Sequence, residues 1–343
     1  MIVDGEEPGG VSKAAHTLLR GGLVGLPTET VYGLGADAEN PQAVANIFQL
    51  KGRPADHPLI IHIYQPEDAL HFAQKIPVFA TQLMSVFWPG PLTLILLRRE
   101  GVAEFAAGGH DTVGLRCPSH PVAQALLKAC REGLGGISIV RGIAAPSANL
   151  FGRVSPTTAS HVEQEFGEDL VVLNGGACQV GIESTIVDCT RGVPILMRPG
   201  EITPDQIQKA CGLAVKSNFL SNKGLSAPRV SGSLASHYAP TAKVRLYEPE
   251  DLVQAIRRWL VEGALRSPPS LGVFSSDLYE QVKKWPDTLH YKQMPSHAPD
   301  AARMLFSVLR EFDAFKVDEI WVEFPPTGSQ WDGVRDRLQR AAY

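Results

Sequence analysis

The feature that most narrows the fold of this chain is an alternation. From Val11 to about Gly212, short apolar runs suited to buried strands are separated by stretches with apolar residues three and four apart, the spacing of an amphipathic helix. Leu23–Leu26, Leu59–Ile63, Leu92–Leu97 and Val171–Leu173 read as strands, several of them apolar on both faces. Helices are expected at Lys13–Arg20, Gln42–Lys51, Pro77–Phe87, Pro121–Arg131 and Pro156–Phe166. The last is expected to start with Ser155 as its cap and Pro156 at the first helical position. This order predicts an α/β domain built on a large, twisted, mixed open sheet with helices.

The pattern lapses between Ser217 and Pro240, where Asn, Ser, Gly, Lys and Pro dominate and apolar periodicity is weak. A stretch of that length reads as a linker with a functional or disordered role. Beyond it the alternation resumes. Lys243–Tyr247, Leu271–Phe274 and Glu319–Phe324 read as strands, and Pro249–Glu262, Ala298–Phe312 and Val334–Ala342 as helices. About a hundred residues of this kind suit a small Rossmann-like α/β domain. It carries no Gly-x-Gly-x-x-Gly, so nothing in it points to a dinucleotide. The expected division is 8–212, a linker over 213–240, and 241–343.

Composition excludes several function classes. A net charge of −4 gives no support for broad nucleic-acid coating. Cys117, Cys130, Cys178, Cys189 and Cys211 are odd in number, scattered, and never spaced Cys-x-x-Cys. Neither a zinc site nor a disulfide framework is expected; reduced, mostly buried thiols in a cytoplasm fit better. Met1–Gly10 has no apolar core of a signal peptide, and no apolar run is long enough to cross a bilayer. A soluble cytoplasmic protein is the expectation.

Walker A, His-Glu-x-x-His and Gly-x-Ser-x-Gly signatures are all missing. The chemistry lies instead in six polar, glycine-punctuated segments. Leu26–Asp37 sets Thr28, Glu29, Thr30 and Tyr32 between an apolar strand and a glycine turn, suited to a small molecule, although threonines beside strands are often only strand formers. Lys51 and Arg53 end a helix with no Asp or Glu three or four positions earlier, and Pro54 breaks it. They read either as a site for an external anion, phosphate first, or as a solvated helix C-terminus. Asp56, His57 and His62 follow. Arg116 stands in the otherwise apolar run Thr112–Pro118 and needs a partner or a carboxylate ligand. Ala144–Asn149, with Ser147, Asn149 and nearby Ser155, offers hydrogen bonds on small residues, or merely a turn. Glu183–Asp188 and Leu196–Glu201 complete the set.

In this order the six segments resemble the YrdC-type domain, and the whole chain resembles the long, two-domain form of the threonylcarbamoyl-AMP synthase family. The resemblance implies ATP, L-threonine and bicarbonate (or CO2) as substrates, Mg2+ accompanying ATP, and an adenylate product used in t6A modification of tRNA. It implies ATP binding by Lys51, Arg53, His57, Thr112, Ser147, Asn149, Ser155 and Arg198, with Val230 of the linker over the nucleotide. It implies a threonine pocket of Thr30, Tyr32, His62, Arg116, the backbone at Ala145, and Ser184, with Arg116 on the substrate carboxylate. No residue cage for a metal is visible, and tRNA or a downstream transfer machinery is a further partner. The chain departs from the family pattern at His57, where Asn is usual before Pro-Leu; histidine can still donate to a phosphate but adds pH sensitivity. The rival readings are an RNA-binding module, another enzyme handling carbamoyl-adenylates, and a threonine sensor.

Overall fold

The structure, a computed structural model, describes residues 1–133, 139–217, 237–263, 269–276 and 286–343. The described residues fall into two compact units, one over 1–151 and 155–217, the other over 152–154 and 237–343.

The larger unit is built on strands β1 (Ile2–Asp4), β2 (Val24–Leu26), β3 (Gly33–Asp37), β4 (Ile60–His62), β5 (Ala73–Lys75), β6 (Leu92–Arg98), β7 (Thr112–Arg116), β8 (Ile143–Ala144), β9 (Val171–Asn174), β10 (Thr185–Asp188), β11 (Ile195–Arg198) and β12 (Lys216–Ser217). They form one mixed sheet in the order β1-β9-β2-β3-β8-β4-β7-β6-β10-β11-β12, with β5 against β6. Around it lie α1 (Pro8–Leu19), α2 (Pro41–Lys51), α3 (Ala69–Phe72), α4 (Val78–Phe87), α5 (Pro121–Glu132), α6 (Ala159–Phe166) and α7 (Pro204–Cys211). The mixed α/β sheet expected from the alternation is what forms.

Register decides which side chains meet. Residues directly opposite across two strands share a face. Leu94 faces Leu115, and Ile61 faces Leu115 from the other side, so these three point into the main core with Leu196 and Val187. The alternate residues point the other way. His62 pairs with Arg116 and Ile60 with Gly114 across β4 and β7. One step beyond the Leu94–Leu115 pair the same β6–β7 register sets Thr93 opposite Arg116, and Thr93 pairs in turn with Ile186 of β10. A polar row therefore crosses this second face, beside a small apolar cluster of Ile95, Ile186, Ile195 and Met197.

Local chemistry sets the helix that ends at the site. The Asn40 side chain accepts hydrogen bonds from the Gln42 and Ala43 amides, and Pro41 fits the first turn of α2. Val44, Ile47 and Phe48 bury one face, and Gly52 closes the helix with φ 62°, a conformation that glycine adopts without penalty.

Two expectations change. The helix expected from Pro156 begins at Ala159, capped by Thr158, whose side chain accepts from the His161 amide. The Pro156 carbonyl accepts from the Tyr32 amide at 2.9 Å and the Thr157 carbonyl from Cys178 at 3.0 Å, so the stretch after Ser155 is tied to other elements. The helix expected from Lys13 starts earlier, at Pro8. Most of the expected linker, residues 218–236 with Val230 in it, lies outside the described residues.

The smaller unit holds β13 (Lys243–Tyr247), β14 (Leu271–Ser275), β15 (Leu289–Gln293) and β16 (Glu319–Glu323), all parallel in the order β13-β16-β14-β15. With them are α8 (Pro249–Gly263), α9 (Ala298–Ala314) and α10 (Asp332–Ala341). Leu252, Ile256, Trp259, Val273 and Trp321 form a core of their own. The unit is Rossmann-like, as expected. β15 escapes a reading by apolarity because it is an edge strand with half-buried His290, Tyr291 and Lys292.

Candidate active site

The polar row is densely bonded. Ser184, just ahead of β10, shares a 2.7 Å hydroxyl contact with Thr93. Arg198, from the end of β11, donates through Nε at 3.1 Å and Nη2 at 2.9 Å to the Ser184 carbonyl, and through Nη2 at 3.2 Å to its hydroxyl. Arg198 thus fixes Ser184 in place, a positioning role that adds to the positive surface expected of it. At the other end of the row, Arg116 Nη1 donates to Thr30 Oγ1 at 2.7 Å and Nε to the Gly90 carbonyl at 3.3 Å. Thr30 is held by Thr28, whose hydroxyl lies 2.9 Å from its own and accepts its amide.

The partner that Arg116 needs is Glu29. Oε1 of Glu29 lies 2.7 Å from Arg116 Nη2, and both side chains are at least 95 % buried. Burial pushes the Glu29 carboxyl up, but the charge and close polar contact of Arg116, together with the Glu29 and Ser119 amides, outweigh it and hold it below its usual value. Burial and the same Arg116 charge push the neighbouring His62 imidazole down to about 3, so it is neutral. The close pair does not reach hydrogen-bond geometry. Glu29 Oε1 and Oε2, Arg116 Nη2 and His62 Nδ1 are all buried without a hydrogen-bond partner. The amides of Glu29 and Ser119 lie close enough to favour the charged carboxylate. Each such group costs about 1–3 kcal/mol, so a cluster of them marks a place that a ligand completes.

The cationic corner departs from the solvated-helix reading. Lys51 is 2 % exposed, which rules out a solvated helix end. Its Nζ donates to the Ser147 carbonyl at 2.6 Å and to the Asn149 carbonyl. Lys51 therefore holds the Ser147–Asn149 turn, and one of its three N–H groups remains for an anion. Burial and the Arg53 charge set its pKa well below the usual lysine value; Glu165, remote in sequence, pulls the other way. Arg53 donates to the Pro58 carbonyl at 3.1 Å and stands 5.8 Å over the Phe151 ring, against which His57 packs edge-on at 5.6 Å. Extending the β4–β7 register two residues back sets Thr112 level with Pro58. Lys51, Ser147 and Asn149 thus meet at one corner, with Arg53 and His57 against Phe151, whose amide donates to the Lys51 carbonyl at 2.9 Å.

Other expected residues are engaged elsewhere. Tyr32 donates its hydroxyl to the Gly176 carbonyl at 2.7 Å and accepts the Gly175 amide at 3.2 Å, and burial raises it to about 12. It braces a turn. The Ala145 amide is spent on the Ile60 carbonyl at 2.9 Å. Ser155 does not cap a helix; it donates at 2.5 Å to Glu183, and both are buried. Thr93 and Phe151 touch these residues without having been singled out, and Glu29 and Glu183 stand in segments read as chemical but were given no role of their own. Glu29 carried a signal, a charged residue in an apolar strand–turn segment; the others meet their partners only through register and turns. Among the described residues no group of three or more His, Cys, Asp and Glu could hold a metal, and no helix is long and apolar enough to cross a membrane.

Two family models match the chain, the Sua5/YciO/YrdC model described as telomere recombination over residues 16–200, and the C-terminal domain of threonylcarbamoyl-AMP synthase over 202–343. This chain belongs to the Sua5/YciO/YrdC family. The family member from Pyrococcus abyssi, a threonylcarbamoyl-AMP synthase, is 38% identical over 331 residues, covering 96% of this chain and 93% of its own. The Bacillus subtilis synthase is 37% identical, covering 97% and 92%. The crystal structure of P. abyssi Sua5 complexed with L-threonine superposes with a TM-score of 0.84 at 36% identity, over 97% of this Sua5-family chain and 94% of the other. The two-domain form expected from the sequence is thus the form of these relatives.

Proposed function

We propose that the chain condenses L-threonine, bicarbonate (or CO2) and ATP into threonylcarbamoyl-AMP and pyrophosphate, the adenylate used for t6A modification of tRNA. One observation carries this reading. The buried groups around Arg116 and His62 are the complement of a hydroxylated amino acid: the guanidinium, ion-paired with Glu29 at 2.7 Å, suits a carboxylate, and neutral His62 Nδ1, without a hydrogen-bond partner, suits a hydroxyl hydrogen. The synthase relatives, and the relative's complex with L-threonine, support the same substrate.

In the scheme the amine of threonine is carboxylated to a carbamate. A carbamate oxygen then bonds to the α-phosphorus as the bond to the pyrophosphate leaving group breaks. Such chemistry needs positioning and charge stabilisation rather than a protein nucleophile. Lys51, with its remaining N–H, Arg53 and Arg198 supply positive charge; His57, Thr112, Ser147, Asn149 and Ser155 border the nucleotide; Val230 of the linker adds to it. Thr30, His62, Arg116 and Ser184 take threonine, with Tyr32 and Ala145 shaping the pocket through the turns they brace. Mg2+ enters with the triphosphate, as part of the substrate; among the described residues none form a cage for it. Residues 8–212 are assigned as the catalytic domain, 213–240 as the linker and 241–343 as the second domain. Five buried free thiols suit a cytoplasmic setting.

The test is direct. Incubation with ATP, bicarbonate and labelled threonine should yield pyrophosphate and a threonine-containing adenylate; pyrophosphate release indifferent to threonine counts against the assignment. Lys51→Ala and Arg53→Ala should each lower turnover by about 100-fold or more while retaining the far-ultraviolet spectrum of the native fold. Loss of the fold with activity per folded molecule intact would show a purely structural role.

A further inference from the structure

Arg116 comes to the ligand already neutralised. Its charge is matched by Glu29 at 2.7 Å, and the neighbouring His62 is held neutral, so these three groups together carry no net charge. A pocket for a bare carboxylate would leave the guanidinium unmatched. A neutral but strongly dipolar pocket suits a ligand that is itself neutral and dipolar, a zwitterion. Arg116 Nη2 and Glu29 Oε1 face each other at 2.7 Å, while Glu29 Oε2 and His62 Nδ1 are buried with no hydrogen-bond partner. A buried carboxylate oxygen with no donor is completed best by a cation with several N–H groups.

We propose that Glu29 is the residue that recognises the ammonium group of the amino-acid substrate, making the site selective for a zwitterion rather than for a hydroxy acid. This rests on the reading of the pocket as a threonine site. Glu29 is then a specificity-determining residue beside Thr30, in the same turn after β2. It is not the base that removes the ammonium proton: a carboxylate stabilised as an anion takes up protons poorly.

Two measurements test the assignment, by calorimetric titration at neutral pH. The wild-type chain should bind L-threonine at least about tenfold more tightly than (R)-3-hydroxybutanoate, which keeps the carboxylate and hydroxyl and lacks only the ammonium. Equal affinity for the two overturns the assignment without using any variant. Glu29→Gln should weaken L-threonine by about tenfold or more while binding (R)-3-hydroxybutanoate no more weakly than the wild type does, with Glu29→Asp partly restoring threonine binding. If Glu29 served only to hold Arg116, both ligands would weaken by the same factor, and the assignment would fail. Failure of the wild-type chain to bind L-threonine at all would overturn the reading of the pocket together with it.

Discussion

At the scale of single residues, the protonation state of His62 carries a measurable consequence. Its folded pKa of about 3 lies below the ordinary histidine value of about 6.5. Between those values the unfolded chain binds a proton that the folded chain does not, so stability is full above about pH 6.5 and declines as pH falls through the window. The slope from one such group is at most about 1.4 kcal/mol per pH unit. Burial lowers His120 in the same direction, while the Glu29 contribution is lost only below the carboxylate range. Guanidinium unfolding between pH 7 and pH 5 should therefore show falling stability, and His62→Gln should flatten part of that fall. An unchanged slope in the variant would mean that His62 is not held neutral. The residues of this pocket were legible in the sequence to different degrees. Arg116 was flagged for the right physical reason, a buried charge that needs a partner, whereas His62 and Ser184 were assigned to the pocket only through the family resemblance. That the partner is Glu29 was not legible, because the two are 87 positions apart and meet only once β7 is laid against the turn after β2.

At the scale of elements, the site depends on a close approach between the turn after β11 and the start of β10. A β-carbon on Gly200 would come within 2.5 Å of the Thr185 amide nitrogen and 2.9 Å of the Glu183 carbonyl oxygen, both backbone atoms that cannot rotate aside. Gly200→Ala must then push β10 and β11 apart where Ser184 and Arg198 meet. The expected cost is about 1–3 kcal/mol of stability, as for an overpacked core, together with a fall in turnover. Denaturant unfolding and the adenylate assay on the same sample would check it; a variant with native stability and activity would show that the turn yields easily. This dependence also explains what pattern reading misses among the elements. Amphipathic helices and apolar strands such as β6 announce themselves through periodicity. β3 is Gly-Leu-Gly-Ala-Asp, and α6 starts only at Ala159, behind its cap Thr158, because backbone bonds from Tyr32 and Cys178 occupy the preceding carbonyls. Those bonds are tertiary, and no window of sequence contains them.

At the scale of the whole molecule, two units with separate cores imply two stabilities. Every residue assigned to threonine, and every described residue assigned to ATP, lies in the larger unit. A ligand stabilises what it binds in the folded state, by about 2.7 kcal/mol at a hundred times its dissociation constant. For a unit of roughly 200 residues that is a rise of roughly 5–10 °C in its midpoint. The described tryptophans divide unequally, with Trp88 in the larger unit and Trp259, Trp321 and Trp331 in the smaller, so intrinsic fluorescence weights the smaller unit. Circular dichroism sees both. With saturating ATP and L-threonine, the main dichroism transition should move up by several degrees while the fluorescence midpoint stays in place. Equal displacement of the two midpoints would mean that the units melt as one cooperative body, and that the energy of substrate binding in the large sheet is shared with a Rossmann-like unit that holds none of the described substrate residues.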